Sequence, residues 1–170
     1  MIKVYLSGSI DFADLGFASC WRQQAIEALS KSDITCHDPL AGKDITDPAI
    51  STKYSPSLIV RRDLLEISSS DILLVEMTRN DIPYVGTSME MFAAAQVGIP
   101  IVVWHEYARL GYWATYFADY AHRDLDSAIV RVQLIAEMIA FKKHQQHKTD
   151  TANLLLRGSI PLCGESSLKE

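Results

Sequence analysis

Apolar residues fall along this chain in short blocks that switch between two periods. "IKVYLSG" is a β-rich run closed by Gly8, and "WRQQAIEALSK" sets Trp21, Ala25, Ala28 and Leu29 at helical spacing, with Ser19 as a candidate cap. "DITCHDP" is a second short strand ended by Pro39, followed by a turn-rich loop from Asp38 to Ser55. Ser55 then caps a helix with Pro56 at its first position, where a missing N–H does no harm, and Leu58, Leu64 and Ile67 supply an apolar face. "DILLVEM" is nearly unbroken apolar, as a strand buried on both faces must be. A helix from about Thr87 to Val97, closed by Gly98, leads into the strand "PIVVW". The aromatic stretch "EYARLGYWATYFADYAH" follows no single period, and "DSAIVRVQLIAEMIAFKK" predicts an amphipathic helix on Ala128, Val132, Ile135 and Ile139. Strands alternating with helices, several of them wholly apolar, predict an α/β fold with a parallel sheet covered on both faces. Such sheets bind ligands at the carboxyl ends of their strands, which points at "SGSID", "HDP" and "MTRNDIPYVGTSME".

Composition narrows the partners. The chain has 170 residues, 48% of them hydrophobic, so one domain with a sizeable core is expected. Net charge is −5, and the 16 Lys and Arg are scattered rather than striped, which argues against a nucleic-acid polymer or an anionic membrane as partner and for a small molecule. Three cysteines without C-x-x-C spacing indicate neither a disulfide framework nor a zinc ribbon. With no secretory-type leader and no window of roughly 18 apolar residues, a soluble cytoplasmic protein is expected. His37, His105 and His122 show no metal spacing. The domain is expected over residues 1–143, with 144–170 a polar C-terminal tail, either mobile or docked on a second subunit.

Glu90 has two readings. Thr87-x-x-Glu90 matches a capping box, and from the local pattern alone that is the favoured one. A carboxylate at a strand end also suits attack on a sugar's anomeric carbon, if it is held in place and faces a group that protonates the leaving base. The helix N-terminus would favour its ionised form, and Gly86 would let a ligand approach the backbone.

"VYLSGSI" at 4–10, "RRDLLEISSSDILLVEM" at 61–77 and "VGTSMEMFAAAQVGIPIVVW" at 85–104, in order and with plausible spacing, resemble the nucleoside 2-deoxyribosyltransferase family, including its relatives that hydrolyse nucleoside 5′-monophosphates. The match covers roughly residues 2 to 105. The resemblance implies a flavodoxin-like, Rossmann-like doubly wound fold with a mostly parallel five-stranded sheet, no metal or organic cofactor, and a homodimer or higher homo-oligomer. It places the family's nucleophilic glutamate on Glu90, the tyrosine that positions it on Tyr5, and the aspartate that contacts the base and assists proton transfer on Asp63. Ser7, Gly8, Ser9, Gly86, Ser88 and Met89 become the candidate substrate-binding residues, although Met89 suits the core equally well. Without the resemblance, Tyr5 reads as core and Asp63 as part of a solvated helix face near Arg62 and Glu66; Asp71 reads as a turn residue and Trp21 as core, with a place lining the base pocket as its alternative.

The chemistry is coherent. An N-glycosidic bond breaks through an oxocarbenium-like state, so an anion under C1′ stabilises it and then forms a glycosyl ester, while a carboxyl with a raised pKa in the place of Asp63 protonates the departing base. Two departures matter. Where the phosphate-using hydrolases carry basic and glycine residues in the first loop, this chain has Asp11 and Phe12, which favours an uncharged nucleoside unless Ser7, Ser9, Ser88 and Arg61 or Arg62 compensate. Six residues before the glutamate, where many of the transferases hold substrate with an aspartate, stands Tyr84, with Asp81 three residues further back. The expectation is a deoxyribosyl transferase or hydrolase acting on 2′-deoxyribonucleosides; the alternatives are a nucleoside 5′-monophosphate N-glycosidase and a non-catalytic nucleotide-binding module.

Overall fold

Five parallel strands, β1 (Ile2–Ser7), β2 (Ile34–His37), β3 (Ile72–Glu76), β4 (Ile101–Trp104) and β5 (Tyr120–His122), form one sheet in the order β2-β1-β3-β4-β5. This computed structural model describes residues 1–10, 14–42, 55–107 and 109–158. Asp11, Phe12, most of the loop after Asp38, and residues 159–170 with Cys163 lie outside the described residues. The helices are α1 (Leu15–Ser30), α2 (Pro56–Ser68), α3 (Val85–Gln96), α4 (Tyr112–Phe117) and α5 (Leu125–Gly158). The expected doubly wound sheet is therefore present, and the aromatic stretch without a period resolves into α4 and β5.

Period-two alternation divides the strands between two cores. Val4, Leu6, Ile72, Leu74, Val102 and Trp104 face α1 and α5, packing on Trp21, Ala25, Leu29, Ala128 and Val132. Tyr5, Leu73, Val75, Ile101 and Val103 face the other way, onto Ile67, Met91 and Ala94 of α2 and α3. Each inner strand buries both faces, which is why "DILLVEM" lacks alternation. Asp71, kept as structural, accepts from the Lys3 amide at 2.9 Å and from Lys143 Nζ at 2.7 Å, tying the start of β3 to β1 and α5.

The helices α1, α2 and α5 each differ from expectation. Asp14, not Ser19, caps α1, its Oδ1 accepting from the Phe17 amide at 3.1 Å. On α2, Ile67 is buried, whereas Leu58 and Leu64 are exposed, so the apolar face read there is mostly not core. The helix expected on Ala128, Val132 and Ile135 runs past residue 143 as far as Gly158. Gly98, at φ 73°, does close α3, in a backbone region that glycine enters without strain.

Arg22 on α1 is fully buried. Its Nη1 donates to the Ala18 carbonyl at 2.7 Å and its Nη2 to the Gly8 carbonyl at 3.0 Å, its Nε lies 3.5 Å from Asp38 Oδ1, and its guanidinium covers the Trp21 ring at 4.6 Å. It joins α1, the segment after β1 and the end of β2. Arg22→Met removes one partner of a buried pair and is expected to cost about 3–5 kcal/mol, measured by urea denaturation; a loss within error would show that these contacts hold nothing together.

Candidate active site

Tyr5 and Ser7 project from one face of β1, two residues apart, onto the side covered by α2 and α3. There they meet Glu90. The Tyr5 hydroxyl donates to Glu90 Oε1 at 3.1 Å and the Ser7 hydroxyl to Oε2 at 2.5 Å, so both carboxylate oxygens are held by the strand. The Tyr5 ring is fully buried and stacks on His37, its register partner on β2, at 5.4 Å between centroids and 15° between planes. His37 Nδ1 in turn lies 3.4 Å from Glu66 Oε2.

This arrangement overturns the capping-box reading. α3 starts at Val85 with Tyr84 at its N-cap, two residues earlier than expected. Thr87 is consequently inside the helix, buried, with its hydroxyl unbonded among the described residues. Glu90, five residues after Val85, lies beyond the free N–H groups of the first turn and reaches across to β1 instead. The expected stabilisation of its anion by the helix end therefore fails. Burial pushes the Glu90 carboxyl up to about 7 from the usual 4.5; the Ser7 bond opposes this, the Asp63 charge adds to it, and Tyr5 and Arg22 pull it back. Burial, followed by the charges of Glu90 and Asp63, also raises the Tyr5 phenol.

Asp63, on α2, is thus within electrostatic reach of both Tyr5 and Glu90. Its side chain is 15% exposed, and Arg62 Nη2 stands 3.4 Å from its Oδ1 while donating to the Pro39 carbonyl at 3.0 Å. The fold brings Tyr5, Ser7, Asp63 and Glu90 together. Gly8 and Ser9 continue the same segment, with Ser9 buried. Gly86 and Met89 are exposed on the first turns of α3, and space around Gly86 is open; Ser88 is half-buried.

Two charged residues that the sequence reading did not single out belong to the same strand ends. One is Arg22. The other is Glu76, the last residue of β3, 2% exposed, whose Oε1 accepts from the Thr78 amide and hydroxyl, each at 2.6 Å, and from the Tyr84 hydroxyl at 2.8 Å. Its signal was present: an ionisable residue inside the apolar block "DILLVEM" must have partners when buried. Tyr84, found where the resemblance led to an aspartate, turns its hydroxyl to Glu76, while Asp81 pairs with Arg79.

A cavity of about 840 Å³ lies elsewhere, between α3, α4, β5 and α5, lined by Phe92, Trp113, Tyr116, Phe117, Tyr120 and Met138 among others. Of its charged residues, Asp119 accepts from the Ile101 amide at 2.8 Å and Lys142 is a cation, so it offers apolar packing and little acid–base chemistry. The reactive groups are at the strand ends. No three His, Cys, Asp or Glu among the described residues are grouped to hold a metal, and no described helix is long and apolar enough to cross a membrane.

No family model and no curated protein matches this chain. Solved structures do. A 2-deoxyribosyltransferase from Bacillus psychrosaccharolyticus aligns with TM-score 0.54 at 20% identity, over 75% of this chain and 90% of its own. What it shares with this chain is the fold. A CMP N-glycosidase from Clostridium botulinum aligns with TM-score 0.54 at 16% identity over 78% and 98%, and a 2-desoxiribosyltransferase from Leishmania mexicana with TM-score 0.50 at 17% over 64% and 67%. The flavodoxin-like fold of this chain is thus common to enzymes of both kinds.

The raised Glu90 carboxyl has a thermodynamic signature. Between about pH 4.5 and 7 the folded chain binds more protons than the unfolded one, so this group's contribution to stability falls as pH rises through that window. Glu90→Gln is therefore expected to be more stable than the parent above pH 7, by about 3 kcal/mol at most, with the gap closing as pH falls into the ordinary carboxylate range. Urea denaturation across pH checks this; a gap independent of pH would contradict it.

Proposed function

We propose that this chain belongs with the nucleoside 2-deoxyribosyltransferases and cleaves the N-glycosidic bond of 2′-deoxyribonucleosides, passing the deoxyribosyl group to another nucleobase or to water. The observation that carries this reading is the Glu90 carboxylate, held by Tyr5 and Ser7 at the strand ends with Asp63 beside it. Ionised Glu90 attacks C1′; the C–N bond breaks with its electron pair leaving on the base, which takes a proton from the Asp63 carboxyl; an ester joins Glu90 to the sugar. A nitrogen of a second base, or water, then attacks C1′, the ester oxygen departs, and the attacking group's proton returns to Asp63. Tyr5 and Ser7 orient the carboxylate and help it ionise. The names of the structural neighbours support the same reaction class.

Charge supports an uncharged nucleoside over a 5′-monophosphate. Around the strand ends lie Glu90, Asp63, Glu76 and Asp38, while Arg22 is turned inward onto Gly8 and Asp38, Arg62 onto Pro39 and Asp63, and Arg79 onto Asp81. A phosphate brought there meets carboxylates first. Leu58, Leu64 and Leu65 on α2 and Val85 and Met89 on α3, the two helices that carry Asp63 and Glu90, are exposed, which supports assembly with a second copy.

Incubation with a 2′-deoxynucleoside, with and without an acceptor base, and separately with its 5′-monophosphate, followed by chromatography, tests the reading. Exchanged base means transfer, free base without acceptor means hydrolysis, and neither from any substrate contradicts the proposal. Glu90→Gln and Glu90→Ala are expected to reduce turnover to background with the fold kept, Asp63→Asn to lower it about a hundredfold, and Tyr5→Phe about tenfold. Nucleoside binding without turnover, unchanged by Glu90→Ala, would leave a non-catalytic nucleotide-binding module, and full activity in Glu90→Ala would move the attack to another group.

Because the attacking form is ionised, kcat/KM is expected to rise with pH through an apparent pKa near 7. Tyr5→Phe removes a bond that favours the anion, so this limb is expected to move to higher pH; a limb unmoved by Tyr5→Phe would assign it to another group.

A further inference from the structure

The face of α5 turned away from the sheet is apolar and uncovered among the described residues. Val130, Leu134, Met138 and Phe141 are between 46% and 63% exposed, while Ala128, Val132 and Ile135 on the opposite face are in the core. At about 100° per residue the four exposed side chains fall within an arc of about 80°. Polar Ser127 and Gln145 occupy the next places along it at either end. Two recesses run along one side of this stripe. One of about 400 Å³ has Val130, Arg131 and Leu134 in its wall, and the cavity of about 840 Å³ has Met138 and Lys142. Exposed Trp113, Tyr116 and Tyr120 continue the apolar surface around that cavity. Apolar surface of this extent, bordered by charge, marks contact with another chain.

Charge identifies that chain. Asp126 and Glu137 border the stripe on one side, Arg131 and Lys142 on the other, each about 60–80° around the helix from Leu134. Asp126, Glu137 and Lys142 make no ion pair among the described residues, and Arg131 lies over the Tyr120 ring at 4.5 Å. The pattern also repeats: Asp126, Val130 and Arg131 return eleven positions later as Glu137, Phe141 and Lys142. Eleven residues are close to three helical turns, so both borders run nearly straight along the helix. When two such helices lie parallel about a two-fold axis along their length, the acidic border of each meets the basic border of the other. Asp126 then stands across from the partner's Arg131 and Glu137 from the partner's Lys142, each five positions on, which is how flanking charges pair across two parallel helices. An antiparallel pair brings acid to acid and base to base. The stripe thus carries its own complement in one orientation, which selects a second copy over an unrelated partner.

We propose that α5 is a dimer interface, on which a second copy of this chain packs its own α5 in parallel over residues 126–142, Leu134 against its counterpart. This face lies across the sheet from α2, α3 and Glu90, so the inference stands apart from the function proposed above and from any contact that α2 and α3 make.

Sedimentation of the full chain tests it. The unmodified chain is compared with Leu134→Glu, with an acidic-border variant (Asp126→Lys and Glu137→Lys), with a basic-border variant (Arg131→Glu and Lys142→Glu), and with an equal mixture of the two border variants. Leu134→Glu and each border variant alone are expected to sediment at half the mass of the unmodified chain. Mixing the border variants is expected to recover the full mass, because every border again meets its opposite, which a mere folding fault would not allow. Val130→Cys, Leu134→Cys and Phe141→Cys, each made with Cys20→Ser and Cys163→Ser, are expected to form a disulfide between copies on mild oxidation, since parallel helices place every stripe position beside itself. A monomeric unmodified chain, masses that the substitutions leave unchanged, or border variants that stay apart on mixing would overturn the proposal. Closure at a single cysteine position would do so too, because only antiparallel helices meet themselves at one point. Circular dichroism follows the fold of each variant; should Leu134→Glu fail to fold, the border variants, whose four sites are on the helix surface, carry the test.

Discussion

Two hydroxyls on β1 draw the carboxylate of Glu90 off its own helix and onto the sheet. Everything proposed for this chain depends on that contact. It requires Tyr5 and Ser7 to share a face, which the strand period supplies, and it requires α3 to start early enough for Glu90 to lie in its second turn. The strand that carries both hydroxyls is an inner one, second in the order β2-β1-β3-β4-β5, at the point where successive connections leave in opposite directions and a crevice opens at the carboxyl ends.

The electrostatics follow from that placement. A carboxylate removed from water beside Asp63 ionises reluctantly, and the protein offsets this with hydroxyl donors and with the buried charge of Arg22. Arg22 is itself costly to bury: desolvation lowers its pKa, and Asp38, Glu76 and Glu90 pull it back. Its bond to the Gly8 carbonyl links this field to the segment between Glu90 and Glu76. A single buried cation thus restrains the backbone on which both acids converge, which is why the site is legible as one unit and not as scattered charges.

Much of this was readable from the residue order. The block "DILLVEM" could only be a strand covered twice, and the pairing of Gly98 with "PIVVW" placed the end of α3 and the next strand. Local pattern failed where tertiary contact decided. Thr87-x-x-Glu90 has the letters of a capping box, yet a helix start two residues earlier and two hydroxyls 83 and 85 positions away take the carboxylate elsewhere. Leu58 and Leu64 have core chemistry but lie on an exposed face, which a periodicity within one helix cannot distinguish from a buried one. Arg22 and Glu76 went unread because their partners come from other elements, α1 reaching the ends of β1 and β2, and Tyr84 reaching back to β3.

The fold shared with transferring and hydrolysing enzymes leaves the chemistry to the side chains. Mass spectrometry of the protein mixed with a 2′-deoxynucleoside examines that chemistry most directly. The account predicts a chain heavier by one deoxyribosyl group, with the added mass on the peptide that contains Glu90 and none in Glu90→Gln. Base release with no adduct under any trapping condition, or an adduct carried by a different side chain, would contradict it.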